Sequence, residues 1–147
     1  MITHTPLFYA LQDTILACGD GEIKIGVTGW PMSGKTTTVR QIAETPRFRH
    51  LHVVHADGFI THHGMRFDDP IHWQEIANLN KQPHLLIEGC AVPRMVEQGL
   101  TLKQLIIVHT PVKPHRIHKG LAAAVDRVSN RLSLSKRYVI NEIIKIT

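Results

Sequence analysis

Two kinds of apolar pattern alternate along the chain. Short, nearly unbroken runs occur at 22–28 (EIKIGVT), 50–56 (HLHVVHA), 84–89 (HLLIEG) and 102–110 (LKQLIIVHT). Runs of this length, rich in β-branched residues and continuous at their centres, predict parallel strands covered on both faces. Between them the apolar residues fall at helical spacing. Val39, Ile42 and Ala43 do so in KTTTVRQIAE (35–44), and IHWQEIANL (71–79) and AVPRMVEQG (91–99) read as crossover helices. THTPLFYALQDTILAC (3–18) reads as an N-terminal helix begun by a Thr cap near Pro6. Strand and helix in alternation predict an α/β fold, an open parallel sheet with helices on both faces.

The C-terminal part is less determined by pattern. KGLAAAVDRVSNRL (119–132) predicts a helix. KRYVINEIIKIT (136–147) fits a helix with Val139, Ile140, Ile143 and Ile144 on one face, or a last strand at EIIKIT. The strand reading supplies a fifth strand and completes the sheet.

A chain of 147 residues with 43% hydrophobic residues suits a single domain, 1–147, around one core. No repeat or linker divides it. Cys18 and Cys90 are too few and too far apart for a disulfide framework and lack zinc spacing, so both are expected as buried free thiols in a reducing interior. No basic leader and no run of apolar residues long enough for a membrane span is seen, so the expected setting is soluble and cytoplasmic, without a membrane partner.

The net charge of +5 is unevenly placed. From Lys113 onward, Lys113, Arg116, Lys119, Arg127, Arg131, Lys136, Arg137 and Lys145 stand against Asp126 and Glu142. A concentrated basic segment attracts phosphate, whether on a nucleotide, a phosphorylated product or nucleic acid; a solvated basic face would look the same.

The stretch GWPMSGKTT changes the picture most. Gly29, Gly34, Lys35 and Thr36 satisfy G-x-x-x-x-G-K-[ST], the phosphate loop. The loop follows a predicted strand and opens a predicted helix, as its mechanism requires, because backbone N–H groups and the helix N-terminus must converge on the phosphates. Gly29, Trp30, Pro31, Met32, Ser33, Gly34, Lys35, Thr36 and Thr37 are thus the candidate nucleotide-binding residues. Lys35, read as lying on an exposed loop, would bridge the β- and γ-phosphates, and the Thr36 hydroxyl would bind Mg²⁺. The dinucleotide fingerprint G-x-G-x-x-G is absent, so a nucleoside triphosphate is the expected ligand.

Ligands in such sheets lie beyond the carboxyl ends of the strands. The second predicted strand ends in HADGFI, with Asp57, and the third in LLIEGC, with Glu88. In strand order 2-3-1-4-5, Glu88 stands beside the phosphate loop. One acid can take a proton from an attacking hydroxyl while the other holds Mg²⁺ directly or through water.

In order and rough spacing, GVTGWPMSGKTT, HADGF, FDDP and LLIEG resemble the uridine kinase-like branch of P-loop kinases, which includes nicotinamide riboside kinases and bacterial pantothenate kinase. The resemblance spans residues 23 to 110 and implies a P-loop NTPase fold. It implies that Asp57, followed by Phe59, is the catalytic base, that Glu88 helps hold Mg²⁺, and that Phe67, Asp68, Asp69 and Pro70 begin a substrate-side helix. The family's Arg-rich lid corresponds to 111–137, where Arg127 and Arg131, four apart on one helix face, either clamp phosphates during transfer or form a plain surface face. This chain departs from the family in having only scattered basic residues there. His84 also comes only 26 positions after Gly58, which implies a small acceptor or an incomplete acceptor pocket.

The histidines show neither H-x-x-x-H nor Cys pairing, and loop, surface or hydrogen-bonded core roles are expected for them. His62 and His63 follow DGF directly and could face the acceptor. Trp30 either packs over the nucleotide or covers the helix, and Trp73 either lines the acceptor pocket or fills the core. The leading expectation is an ATP- and Mg²⁺-dependent kinase whose partner is a small-molecule acceptor bearing a hydroxyl. The alternatives are a nucleotide monophosphate kinase, and a P-loop protein acting on nucleic acid or a protein partner through its basic end.

Overall fold

A computed structural model of the chain describes residues 6–29, 34–58, 73–109, 123–128, 130 and 140–145. Helix α1 (Pro6–Ala17) leads into strand β1 (Ile23–Gly29) and helix α2 (Lys35–Glu44). A 3₁₀ turn at Pro46–Phe48 precedes β2 (His52–His55), and then come α3 (Trp73–Asn80), β3 (His84–Glu88), α4 (Val92–Glu97), β4 (Gln104–His109) and β5 (Ile140–Lys145). The expected Thr cap of α1 lies outside the described residues.

The sheet is parallel. β1 is flanked by β3, with Ile25 opposite Leu86 and Val27 opposite Glu88, and by β4, with Val27 opposite Ile106. β2 pairs with the other side of β3, His55 opposite Glu88, giving the order β2-β3-β1-β4. β5 pairs with β4, with an irregularity between Leu105 and Ile106.

Alternation along the strands divides the apolar residues between two cores. Ile25, Val27, Leu86, Ile106 and Val108 pack with Leu7 and Leu11 of α1 and Val39 and Ile42 of α2. Leu85, Ile87, Leu105 and Ile107 pack with Ile76 and Leu79 of α3 and Val92, Met95 and Val96 of α4. Each such side chain contributes about 1.5–3 kcal/mol when buried rather than exposed. The near-continuous apolar runs therefore mean a sheet sandwiched by helices, as the pattern predicts.

Several expectations are corrected. β2 is covered less fully than expected: Val53 packs on one core and Val54 on the other, but both are only half-buried and His52 and His55 are exposed, because β2 is the edge strand beyond β3. Helix α4 is shorter than 91–99, since Gly99 N–H bonds Val96 O at 3.1 Å and Leu100 N–H bonds Met95 O at 3.0 Å, the paired bonds of a Schellman stop. Cys90 is buried, but Cys18 is only half-buried, near the end of α1, where its thiol reaches the Thr14 carbonyl. Trp73 is 69% exposed and fills no core, because it opens α3 ahead of the residues that pack, Ile76 and Leu79. Among the described residues, no helix is long and apolar enough to cross a membrane.

Candidate active site

The site is built where β1 gives way to α2. Gly34 caps α2 in the left-handed conformation (φ 89°, ψ 6°), with no side-chain cap bond and no acidic residue in the first turn. Added side-chain bulk at Gly34 would meet nothing within 4 Å, so the glycine answers to backbone conformation rather than to space. Among the described residues no side chain caps the first turn of α2, and N–H groups at a helix start attract an anion. Trp30, Pro31, Met32 and Ser33 lie outside the described residues.

Lys35 is not on an exposed loop. It is 5% exposed, and its ammonium donates to the Gly29 carbonyl at 3.3 Å. As the first residue of α2, it folds its stem back over the end of β1. Thr36 and Thr37 are exposed on the first turn.

Glu88, the last residue of β3, is 2% exposed and faces this turn. Its Oε1 accepts the Thr36 hydroxyl at 3.1 Å and contacts His55 Nδ1 at 2.7 Å. Its Oε2 is buried and has no hydrogen-bond partner among the described residues. A buried carboxylate oxygen is costly unless it is bonded or bound to a cation. A carboxylate beside a threonine hydroxyl offers the hard oxygen donors that suit Mg²⁺, so the residues fit that ion.

Asp57 stands two residues past the end of β2 and lies against Gly89, just beyond β3. Its Oδ1 accepts the Ala91 N–H at 3.2 Å. Gly89 makes this approach possible: its φ is 142°, and a Cβ there would stand 2.8 Å from Asp57 Oδ1. Gly89→Ala is therefore expected to cost about 1–3 kcal/mol of stability through backbone strain and also to displace Asp57. Gly99→Ala is the control, because Gly99 has a φ of 112° but nothing within 4 Å of its Cβ position. Denaturant unfolding should show both variants weakened, and turnover should fall further for Gly89→Ala. Equal turnover in the two would separate Gly89 from Asp57.

Cys90 fills the floor between these groups, its thiol 3.5 Å from the Gly29 carbonyl. Burial pushes its pKa up to about 11, with Lys35 lowering it and Asp57 and Glu88 raising it further. It remains a neutral thiol at physiological pH and is not a nucleophile.

Lys35, Thr36, Asp57 and Glu88 thus gather at the carboxyl ends of β1, β2 and β3. Arg127 is exposed on the helical stretch 123–128, which buries Ala124, Val125 and Val128. Arg131, Phe59, the FDDP segment, His62, His63, and most of 111–137 lie outside the described residues. Sequence reasoning missed His55 and Cys90. His55 had a partial signal: it stands near the end of the second predicted strand, beside the third in the expected strand order 2-3-1-4-5. Cys90 had none.

No protein-family model matches the chain, and no curated protein matches it. Among solved structures, the chain is similar to a possible uridine kinase from Bacillus stearothermophilus, with a TM-score of 0.57 and 18% identity over 93% of this chain and 96% of that one. At that identity the likeness concerns the fold alone, a parallel α/β sheet with helices on both faces.

Proposed function

We propose that the protein is an ATP- and Mg²⁺-dependent kinase, on the five-stranded 2-3-1-4-5 plan of P-loop kinases, that transfers the γ-phosphoryl group to a hydroxyl of a nucleoside or similar small metabolite. The observation that carries the reading is the Thr36–Glu88 bond at 3.1 Å at the start of α2, with a buried Glu88 Oε2 beside it that has no hydrogen-bond partner among the described residues.

The residues divide the work. The α2 N–H groups and Lys35 bind the triphosphate and oppose charge on its oxygens. Thr36 and Glu88 would hold Mg²⁺, which when bound neutralises charge on the phosphates. Asp57, fixed by the Ala91 N–H, takes the proton of the acceptor hydroxyl. The acceptor oxygen bonds to the γ-phosphorus, the bond to the β–γ bridging oxygen breaks, and ADP leaves. Arg127 and Arg131 supply further positive charge during transfer in this reading.

ATP consumption across a panel of nucleosides, nucleotides and vitamins tests the proposal. It requires acceptor-dependent turnover with at least one hydroxyl compound, and ATP turnover independent of every acceptor would count against it. Glu88→Gln keeps the shape and deletes the charge. Its activity should fall about 10- to 100-fold, the range for losing a group that supports a metal, with partial recovery at high Mg²⁺. An unchanged Mg²⁺ dependence would reduce Glu88 to a strand-end residue.

A further inference from the structure

We infer that His55 is a positioning residue for Glu88, holding its carboxylate so that one oxygen is occupied and the other is presented to the nucleotide-bound cation; the inference rests on the phosphoryl-transfer reading. The parallel register sets His55 opposite Glu88 at the ends of β2 and β3. An ionised carboxylate only accepts, so the 2.7 Å contact is donated by His55 Nδ1–H. Thr36 donates to the same oxygen, Oε1, at 3.1 Å. Both donors converge on one oxygen, while Oε2 is buried with no partner among the described residues. A carboxylate serving only the fold would be expected to divide its donors between its oxygens, since each buried oxygen left bare costs free energy.

His55 is also poorly placed for a structural role. It is 40% exposed on an edge strand, whereas Glu88 is 2% exposed. If His55 is removed, Thr36 still donates to Oε1, so the fold does not depend on His55 to satisfy that oxygen. What His55 does add is orientation, as a hydrogen-bonded neighbour does for a metal ligand, and loss of such neighbours typically weakens metal affinity about 10- to 100-fold.

The test is Mn²⁺ binding, read by electron paramagnetic resonance of the unbound ion, to the full chain saturated with a non-hydrolysable ATP analogue. His55→Ala should raise the Mn²⁺ dissociation constant about tenfold, the lower end of that range because the ring is partly solvated. Affinity for the nucleotide in EDTA and the thermal midpoint should stay unchanged. His55→Asn places an amide N–H where Nδ1 stands and should restore most of the Mn²⁺ affinity. His55→Gln places it near Nε2 and should not. Wild-type Mn²⁺ affinity in a folded His55→Ala protein, or rescue by Gln but not Asn, would overturn the inference alone, provided Glu88→Gln still loses the ion. If the wild-type protein with nucleotide binds no Mn²⁺, the inference and the phosphoryl-transfer reading fall together.

Discussion

Lys35→Ala is expected to lower phosphoryl transfer by about 10²–10³-fold or more, the scale seen when one preorganised donor to a developing negative charge is removed. A unit charge about 4 Å from another, at the effective dielectric of a partly buried site, is worth about 4 kcal/mol, which is consistent with that factor. Lys35 is 5% exposed, so its removal also empties space beside the end of β1. Lys35→Met is the companion variant, since methionine keeps an unbranched apolar stem and deletes only the ammonium. Its thermal midpoint should match the wild type while its activity falls with that of Lys35→Ala. Full activity in a folded Lys35→Met protein would remove the kinase claim, because no other described residue stands at both the helix start and the Gly29 carbonyl.

Asp57→Asn is expected to keep ATP affinity and to lose about 10²–10⁴-fold in turnover, the usual contribution of a general base. The substitution is conservative at this position: an asparagine Oδ1 can still accept the Ala91 N–H that Asp57 accepts at 3.2 Å. The change is therefore in proton acceptance rather than in geometry. If the acceptor were a nucleotide phosphate, it would already be ionised and Asp57 would only repel it. Asp57→Asn would then leave turnover almost unchanged or lower the acceptor KM. Rates of both proteins at saturating ATP, with the best acceptor from the panel, decide between these outcomes. Near-wild-type turnover with tighter acceptor binding would favour a nucleotide monophosphate kinase.

What could be read in the sequence followed from how local each physical cause is. The parallel sheet was legible because unbroken apolar runs such as HLLIEG can be satisfied only by cover on both faces, and Leu85–Ile87 are indeed divided between two cores. The phosphate loop was legible because anion binding at a helix start demands glycine and lysine at fixed spacing. The burial of Lys35 was not legible, since it depends on the turn that folds its stem over β1. The expected order 2-3-1-4-5 already puts β2 at the edge, but HLHVVHA alone does not say which of its residues that edge leaves exposed, here His52 and His55. The joining of His55 and Thr36 on one oxygen of Glu88 depends on strand register and on the start of α2 together, which no short motif encodes. Gly89 carried no reading of its own within LLIEG, and its reason is the passage of Asp57 within 2.8 Å of where its Cβ would be.

The central claim is transfer of the γ-phosphoryl group of ATP to a hydroxyl, and the product's phosphorus spectrum tests it most directly. The protein is incubated with ATP, Mg²⁺ and the best acceptor, and the product is examined by ³¹P NMR. The account predicts ADP together with one new phosphorus resonance that lacks phosphorus–phosphorus coupling, the signature of a phosphomonoester, absent from the Lys35→Met reaction. A new pair of mutually coupled resonances would mean that a phosphate had been the acceptor, and ADP with inorganic phosphate alone would mean that none had; either result would contradict the account.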